Sequence, residues 1–218
     1  AALGSVFAIA FVKCLCGGLG QNIFNPALAA RALLLLVWPV SLTRFTGVDG
    51  VTAATPLHHM VMPALPEESL LDMFLGNCPG SIGEISTLAL LLGGGYLVYR
   101  RVISIRIPAS YLGTVAVLTL VFHKTDAPLQ WMLYSLLSGG VMLGAIFMAT
   151  DYATSPATEK GQIIYGIGCG VLTVFFRYYG LFPEGVTYAI LMMNALVWIL
   201  DRYTAPRRFG MQKGGASK

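Results

Sequence analysis

From Pro128 to Ala149 the chain reads PLQWMLYSLLSGGVMLGAIFMA, twenty-two residues without one charged side chain. A helix of about 20 such residues matches the roughly 30 Å hydrocarbon core of a bilayer. Within hydrocarbon every backbone N–H and C=O must find its partner inside the segment, so an apolar run of this length is read as a helix. Further runs lie at 83–99, 108–122, 161–179 and 185–200, with a shorter helix at 26–40 and a partial span at 1–13. The chain is 56% hydrophobic and 11% charged, with mean hydropathy +0.72, whereas soluble domains are about one-quarter charged. The predicted fold class is therefore all-α: a polytopic integral membrane bundle of six to seven spans forming a single domain over 1–218.

Local chemistry refines these boundaries. The opening AALGSVFAIAFVK has no initiator Met and no basic leader, and reads as the end of a transmembrane helix with an N-terminal part expected before it. SIGE, Ser81 to Glu84, has the spacing of a capping box, and Ser155-Pro156 suits a cap followed by Pro in the first turn. Gly93 to Gly95, Gly139, Gly140, Gly144, Gly166, Gly168 and Gly170 place small residues inside spans, where helix backbones can approach closely. Cys14, Cys16, Cys78 and Cys169 are scattered; only Cys14 and Cys16 are close enough to suggest a shared ligand, and most of the four read as single buried thiols.

Basic residues gather at Arg100, Arg101 and Arg106 and again at Arg202, Arg207, Arg208, Lys213 and Lys218, which assigns both regions to the cytoplasmic side. Threading alternately puts 41–80, 123–127 and 180–184 outside and 150–160 inside. Trp38 and Trp131 are then expected at the outer interface and Trp198 at the inner one.

Polar islands interrupt the apolar runs: GGLGQNIFNPA at 17–27, DGVTAATPL at 49–57, ATDYATSPAT at 149–158, and Asp201. Polar groups at bilayer depth are costly and usually face a bundle interior, a cavity or a ligand. DGVTAATPL alone is compatible with a surface turn, since Asp-Gly favours one and Thr55 before Pro56 is held extended. Asn22 and Asn25 could present amides to a heterocycle, or Asn25 could simply cap a helix ahead of Pro26. GGLGQN lacks the third glycine of a dinucleotide fingerprint, and adjacent His58 and His59 have no ligand partners at metal spacing. No catalytic residue, metal or nucleic-acid partner is expected.

The order GGLGQNIFNPALAAR, DGVTAATPL, GSIGEISTLALLLGG, SGGVMLGAIFMATD, PEGVTYAILMMN and APRRFG resembles the family of D subunits of the Rnf complex, the ion-translocating ferredoxin:NAD oxidoreductase. It is similar more distantly to the B subunit of the sodium-pumping NADH:quinone oxidoreductase. TPL and PRRFG favour the Rnf member, and against the family's ten-helix layout the first helices are absent. The resemblance implies a flavin-carrying electron-transfer protein of the bacterial or archaeal cytoplasmic membrane, with 41–80 as an extracytoplasmic flavin-bearing loop. It implies FMN joined by a flavin transferase through a phosphoester to Thr55, within a motif whose positions Asp49, Gly50, Thr52, Ala53 and Ala54 all match. Asn22 and Asn25 match a segment near a noncovalent riboflavin on the inner side. Implied partners within the Rnf complex are its A and E membrane proteins, its flavin-bearing G component, its NADH-binding C component and its ferredoxin-side B component, together with membrane lipid.

Asp151 and Asp201 end spans on the inner side, as wet interfacial carboxylates or, as the resemblance implies, on a path for Na⁺ or H⁺; a carboxylate with backbone carbonyls from the 150–158 turn could ligate a cation. A small-solute channel or transporter is the competing class, because broken spans and polar residues at the midplane occur there too.

Overall fold

Helices follow the apolar runs, and short-range capping sets their ends. The structure, a computed structural model, describes residues 2–15, 22–39, 45–46, 52–53, 66, 68–81, 83–180 and 185–205, with only backbone described at 45–46 and 52–53. The elements are α1 (Ala2–Leu15, its second half wound as a π-helix), α2 (Pro26–Val37), β1 (Phe45–Thr46), β2 (Thr52–Ala53), α3 (Leu70–Leu75), α4 (Thr87–Tyr99), α5 (Arg106–Val121), α6 (Pro128–Leu137), α7 (Val141–Met148), α8 (Glu159–Tyr179) and α9 (Gly185–Thr204). β1 and β2 form an antiparallel pair with Phe45 opposite Ala53 and Thr46 opposite Thr52.

Three expected boundaries are corrected. Ser81-Glu84 does not start a helix: Glu84 Oε1 accepts from the Ser81 N–H at 3.2 Å as in a capping box, yet the pair closes a turn, and α4 begins at Thr87 with Ser86 Oγ accepting from the Ala89 N–H. Ser155 does not cap α8 either. Thr158 does, accepting from the Gly161 N–H at 3.1 Å, because Asp151 has already drawn the Thr154 and Ser155 N–H groups into its own turn. The run 128–149 is two helices bent by 63° at Ser138–Gly140, where Gly139 takes a φ of +62°. That angle suits glycine and ends a helix.

α4 ends in a Schellman arrangement: the Val102 N–H reaches the Leu97 carbonyl and the Arg101 N–H reaches that of Val98, both at 2.9 Å. Arg101 holds the left-handed position, φ +56°, that glycine normally occupies.

α8 is the central element and packs on α5 and α9. Its buried face steps by helical turns through Tyr165, Cys169, Thr173 and Arg177, with Gly166 and Gly170 alongside. A Cβ on Gly170 would lie 2.7 Å from Thr114 Cβ and 3.0 Å from the Tyr111 carbonyl, so α5 and α8 are in backbone contact there. Gly94 and Gly168 are similarly closed by Ile146 and Met193, which bears out the packing reading for them, whereas Gly95 faces open space. The inward face of α5 is Ile107, Tyr111, Val115 and Thr119, and the Tyr111 hydroxyl meets Thr173 Oγ1 at 2.6 Å. Outward, α8 and α9 show Ile163, Ile164, Ile167, Val171, Phe175, Met192, Leu196 and Ile199 to the surroundings. Large apolar side chains thus face outward, while the mainly apolar interior also holds buried polar groups such as Thr173, Arg177 and Asn194; an outer surface this apolar is unlike that of a water-soluble bundle.

No single described helix is long and apolar enough to cross a membrane by itself; the bent pair α6–α7 is. Charged and polar side chains lower the hydropathy of the two longest helices: Glu159, Lys160 and Arg177 in α8, and Asn194, Asp201 and Arg202 in α9. Trp131 is another correction. It is buried to 1% exposure, with Nε1–H donating to the Tyr178 hydroxyl at 3.0 Å, so it packs within the bundle rather than anchoring at an interface. Trp38 and Trp198 are exposed, and the Arg202 guanidinium lies 5.8 Å from the Trp198 ring centre.

Candidate functional site

At the start of α2 the capping role of Asn25 is realised: its Oδ1 accepts from the Ala27 and Leu28 N–H groups at 3.0 and 3.3 Å. With the Asn194 amide of α9 assigned to the orientation that satisfies its neighbours, its oxygen accepts from the Asn25 backbone N–H at 3.2 Å while its nitrogen donates to the Tyr165 hydroxyl at 2.6 Å and to the Ile190 carbonyl at 3.2 Å. One asparagine therefore ties α2, α8 and α9 together. Asn22 differs: its Oδ1 is sealed from solvent and has no hydrogen-bond partner among the described residues. A buried acceptor left without a partner costs about 1–3 kcal/mol. Asn25, by contrast, has its side chain committed to the cap.

The bend at Ser138–Gly140 carries a second polar centre. Arg177, 9% exposed, donates from Nη1 to the Ser135 carbonyl at 2.6 Å and from Nη2 to that of Ser138 at 2.8 Å, so α8 supplies donors for carbonyls that α6 can no longer pair internally. Glu84, 7% exposed, sits against the same bend; a Cβ on Gly140 would be 2.9 Å from its Oε2. Arg31 reaches across from α2, with Nη2 3.9 Å from Glu84 Oε2 and 3.4 Å from Ser81 Oγ. Arg31, Glu84, Arg177 and Thr187 line a cavity of about 10 Å³, space for a single water. Sequence reasoning passed over Arg31 and Arg177. The available signal was an arginine inside an apolar run, the costliest residue to leave there without a purpose.

Toward the opposite ends of α8 and α9, Asp201 accepts from the Ala157 N–H through both oxygens, at 3.1 and 3.4 Å, and Thr158 is hydrogen-bonded to Thr204. Asp151 Oδ2 accepts from Thr154 Oγ1 at 3.1 Å. The two carboxylates shape consecutive turns of one loop, and Arg106 is paired with Glu159 beside it at 2.6 Å. Of the run Asp49 to Thr55 that the resemblance linked to flavin attachment, Thr52 and Ala53 lie in β2. Asp49, Gly50, Ala54 and Thr55 fall outside the described residues, as do His58 and His59.

The sequence model of the NQR2, RnfD, RnfE family matches residues 1–210. The chain belongs to this family. Its members are membrane proteins, in keeping with a bundle whose outer face carries large apolar side chains. The D subunit of the Na(+)-translocating ferredoxin:NAD(+) oxidoreductase complex of Acetobacterium woodii is 51% identical over 219 residues, covering 97% of this chain and 66% of that protein. The D subunit of the proton-translocating ferredoxin:NAD(+) oxidoreductase complex of Clostridium ljungdahlii is 44% identical, over 97% of this chain and 69% of that one. The D subunit of the ion-translocating oxidoreductase complex of Stutzerimonas stutzeri is 39% identical, over 97% and 70%. The chain spans about two thirds of the length of these relatives. They are D subunits of multi-subunit oxidoreductase complexes, which bears out the resemblance read from the motifs.

Proposed function

We propose that the chain is part of a membrane electron-transfer subunit, carrying FMN on Thr55 by a phosphoester, in a complex that couples ferredoxin:NAD oxidoreduction to movement of Na⁺ or H⁺. The observation that carries this reading is the complete run Asp49, Gly50, Thr52, Ala53, Ala54, Thr55 in a chain whose relatives are D subunits of such complexes. A bound flavin supplies one- and two-electron redox chemistry that no side chain here can provide. The protein's part is to hold it. Thr55 offers a hydroxyl among small residues, and the Asn22 to Asn25 segment, by its likeness to the family's, would lie near a second, noncovalent riboflavin. The A, B, C, E and G components of the Rnf complex and a flavin transferase are the partners this reading requires, and the cytoplasmic membrane is its location. Relatives named for Na⁺ and for protons both stand close to this chain, so the coupling ion does not follow from the likeness. Asp151 and Asp201 are proposed as oxygen ligands on the cytoplasmic side of the ion path.

The test is in-gel flavin fluorescence of the denatured protein. Thr55→Ala abolishes it; Thr52→Ala lowers it by weakening recognition by the transferase. Fluorescence that survives Thr55→Ala sinks the assignment.

A further inference from the structure

The flavin reading leaves unused an apolar groove of about 350 Å³ between α4 and α5, next to the loop that joins them. It is lined by Leu91, Gly95 and Val98 of α4, Pro108 and Leu112 of α5, and Ile103 and Ile105 from the loop. From Leu91 to Val98 the helix rises about 10 Å, so the groove offers a trough for an alkyl chain. Its loop end is basic. Arg100 and Arg101 are exposed, and neither side chain has a hydrogen-bond or ion-pair partner among the described residues, whereas Arg106 is committed to Glu159. Arg101 moreover occupies the left-handed position of the Schellman turn, where glycine would fit without strain, so an arginine stands at a point where the backbone disfavours it.

We infer that this groove and these two arginines bind an anionic phospholipid, with an acyl chain laid over Gly95 between α4 and α5 and the phosphate held by Arg100 and Arg101. The chemistry is complementary at both ends: alkyl against an apolar trough, and a phosphodiester against two guanidinium groups on the face where positive loops gather. The inference rests on the membrane orientation in the proposed function and not on the flavin.

The experiment uses the intact complex, with the photoreactive residue benzoylphenylalanine in place of Ile105. The complex is reconstituted in vesicles of equal parts phosphatidylglycerol and phosphatidylcholine, and adducts are identified by mass spectrometry. Phosphatidylglycerol adducts exceed those of phosphatidylcholine, and R100Q and R101G each lower that preference about fivefold. R101G relieves the positive φ, so its effect is not one of misfolding. G95L places a Cβ where nothing lies within 4 Å, and so fills the groove without a backbone clash and removes adducts of both lipids. Equal labelling of the two lipids in the parent complex, adducts unchanged in G95L, or crosslinking to another polypeptide of the complex instead of lipid each overturns the inference. In-gel flavin fluorescence, read on the same samples, separates the two readings: its loss with lipid preference intact fails the flavin assignment alone.

Discussion

Arg177 shows how one side chain can stand in for secondary structure. Its two donors span carbonyls three residues apart, on either side of the last turn of α6, a task suited to the flat fork of a guanidinium. Arg177→Met strips both carbonyls of their partner, at about 1–3 kcal/mol for each buried group left unpaired. Arg177→Lys recovers only part of that loss, because an ammonium is a single point of donation. The thermal midpoint of the purified complex should rank parent above lysine above methionine, and a methionine variant that melts with the parent would refute the role. Arg177 also explains why counting charges in loops assigned the topology without it. It stands at the end of α8 assigned to the outside, but its charge is consumed inside the bundle and is not a loop charge. Asn25 was legible in the sequence because a cap depends on neighbours two and three residues away. Asn194, Arg31 and Arg177 were not, because apart from the Ile190 carbonyl their partners stand 29 or more residues away and no local pattern encodes them.

Among the elements, α8 carries the most informative contrast. Gly168 and Gly170 are two residues apart yet meet different neighbours: the flexible end of Met193 in one case, the Tyr111 carbonyl and Thr114 Cβ in the other. Gly170→Ala forces backbone apart and should cost about 1–3 kcal/mol. Gly168→Ala displaces only a thioether and gains helix propensity, leaving stability within about 1 kcal/mol of the parent. Gel filtration of the heated complex, followed by flavin fluorescence, distinguishes them; equal losses would mean that the α5–α8 contact is not the tight one. The helices themselves were readable from apolar runs with boundaries off by a few residues. The bend at Ser138–Gly140 was not, since SGG inside an apolar run reads equally as close packing, and what decides for a bend is Arg177 waiting on another helix.

For the molecule as a whole, the arginine clusters predict a sidedness that can be measured. A cysteine replacing Ser104 should resist an impermeant maleimide in intact cells, while one placed in 41–80 should react. The opposite pattern would invert the orientation. Native Cys78 is a poor reporter for this purpose: it is buried, and burial first, then the carboxylates of Glu68, Asp72 and Glu84, push its thiol up, leaving little of the reactive thiolate. On the proposed cytoplasmic face, Asp151→Asn should leave the flavin attached but lower ferredoxin-dependent NAD reduction and ion uptake by the complex in vesicles. Asp201→Asn should have the smaller effect, because an amide oxygen can still accept from the Ala157 N–H. Parent rates of both processes in Asp151→Asn would leave only a turn-shaping role for that carboxylate.

The arginine at the bend has a consequence for the route of the coupled ion. A guanidinium does not deprotonate in proteins, so at every pH of interest α8 holds a fixed positive charge beside the break, with Arg31 a second and Glu84 a single negative. In a medium of effective dielectric about 20, a monovalent cation some 4 Å from such a charge is opposed by about 4 kcal/mol, enough to slow passage roughly a thousandfold. At the bend, then, two fixed positive charges face one carboxylate, and the net charge there disfavours a further cation. An ion taken up near Asp151, as proposed, is better served by a route that skirts the bend.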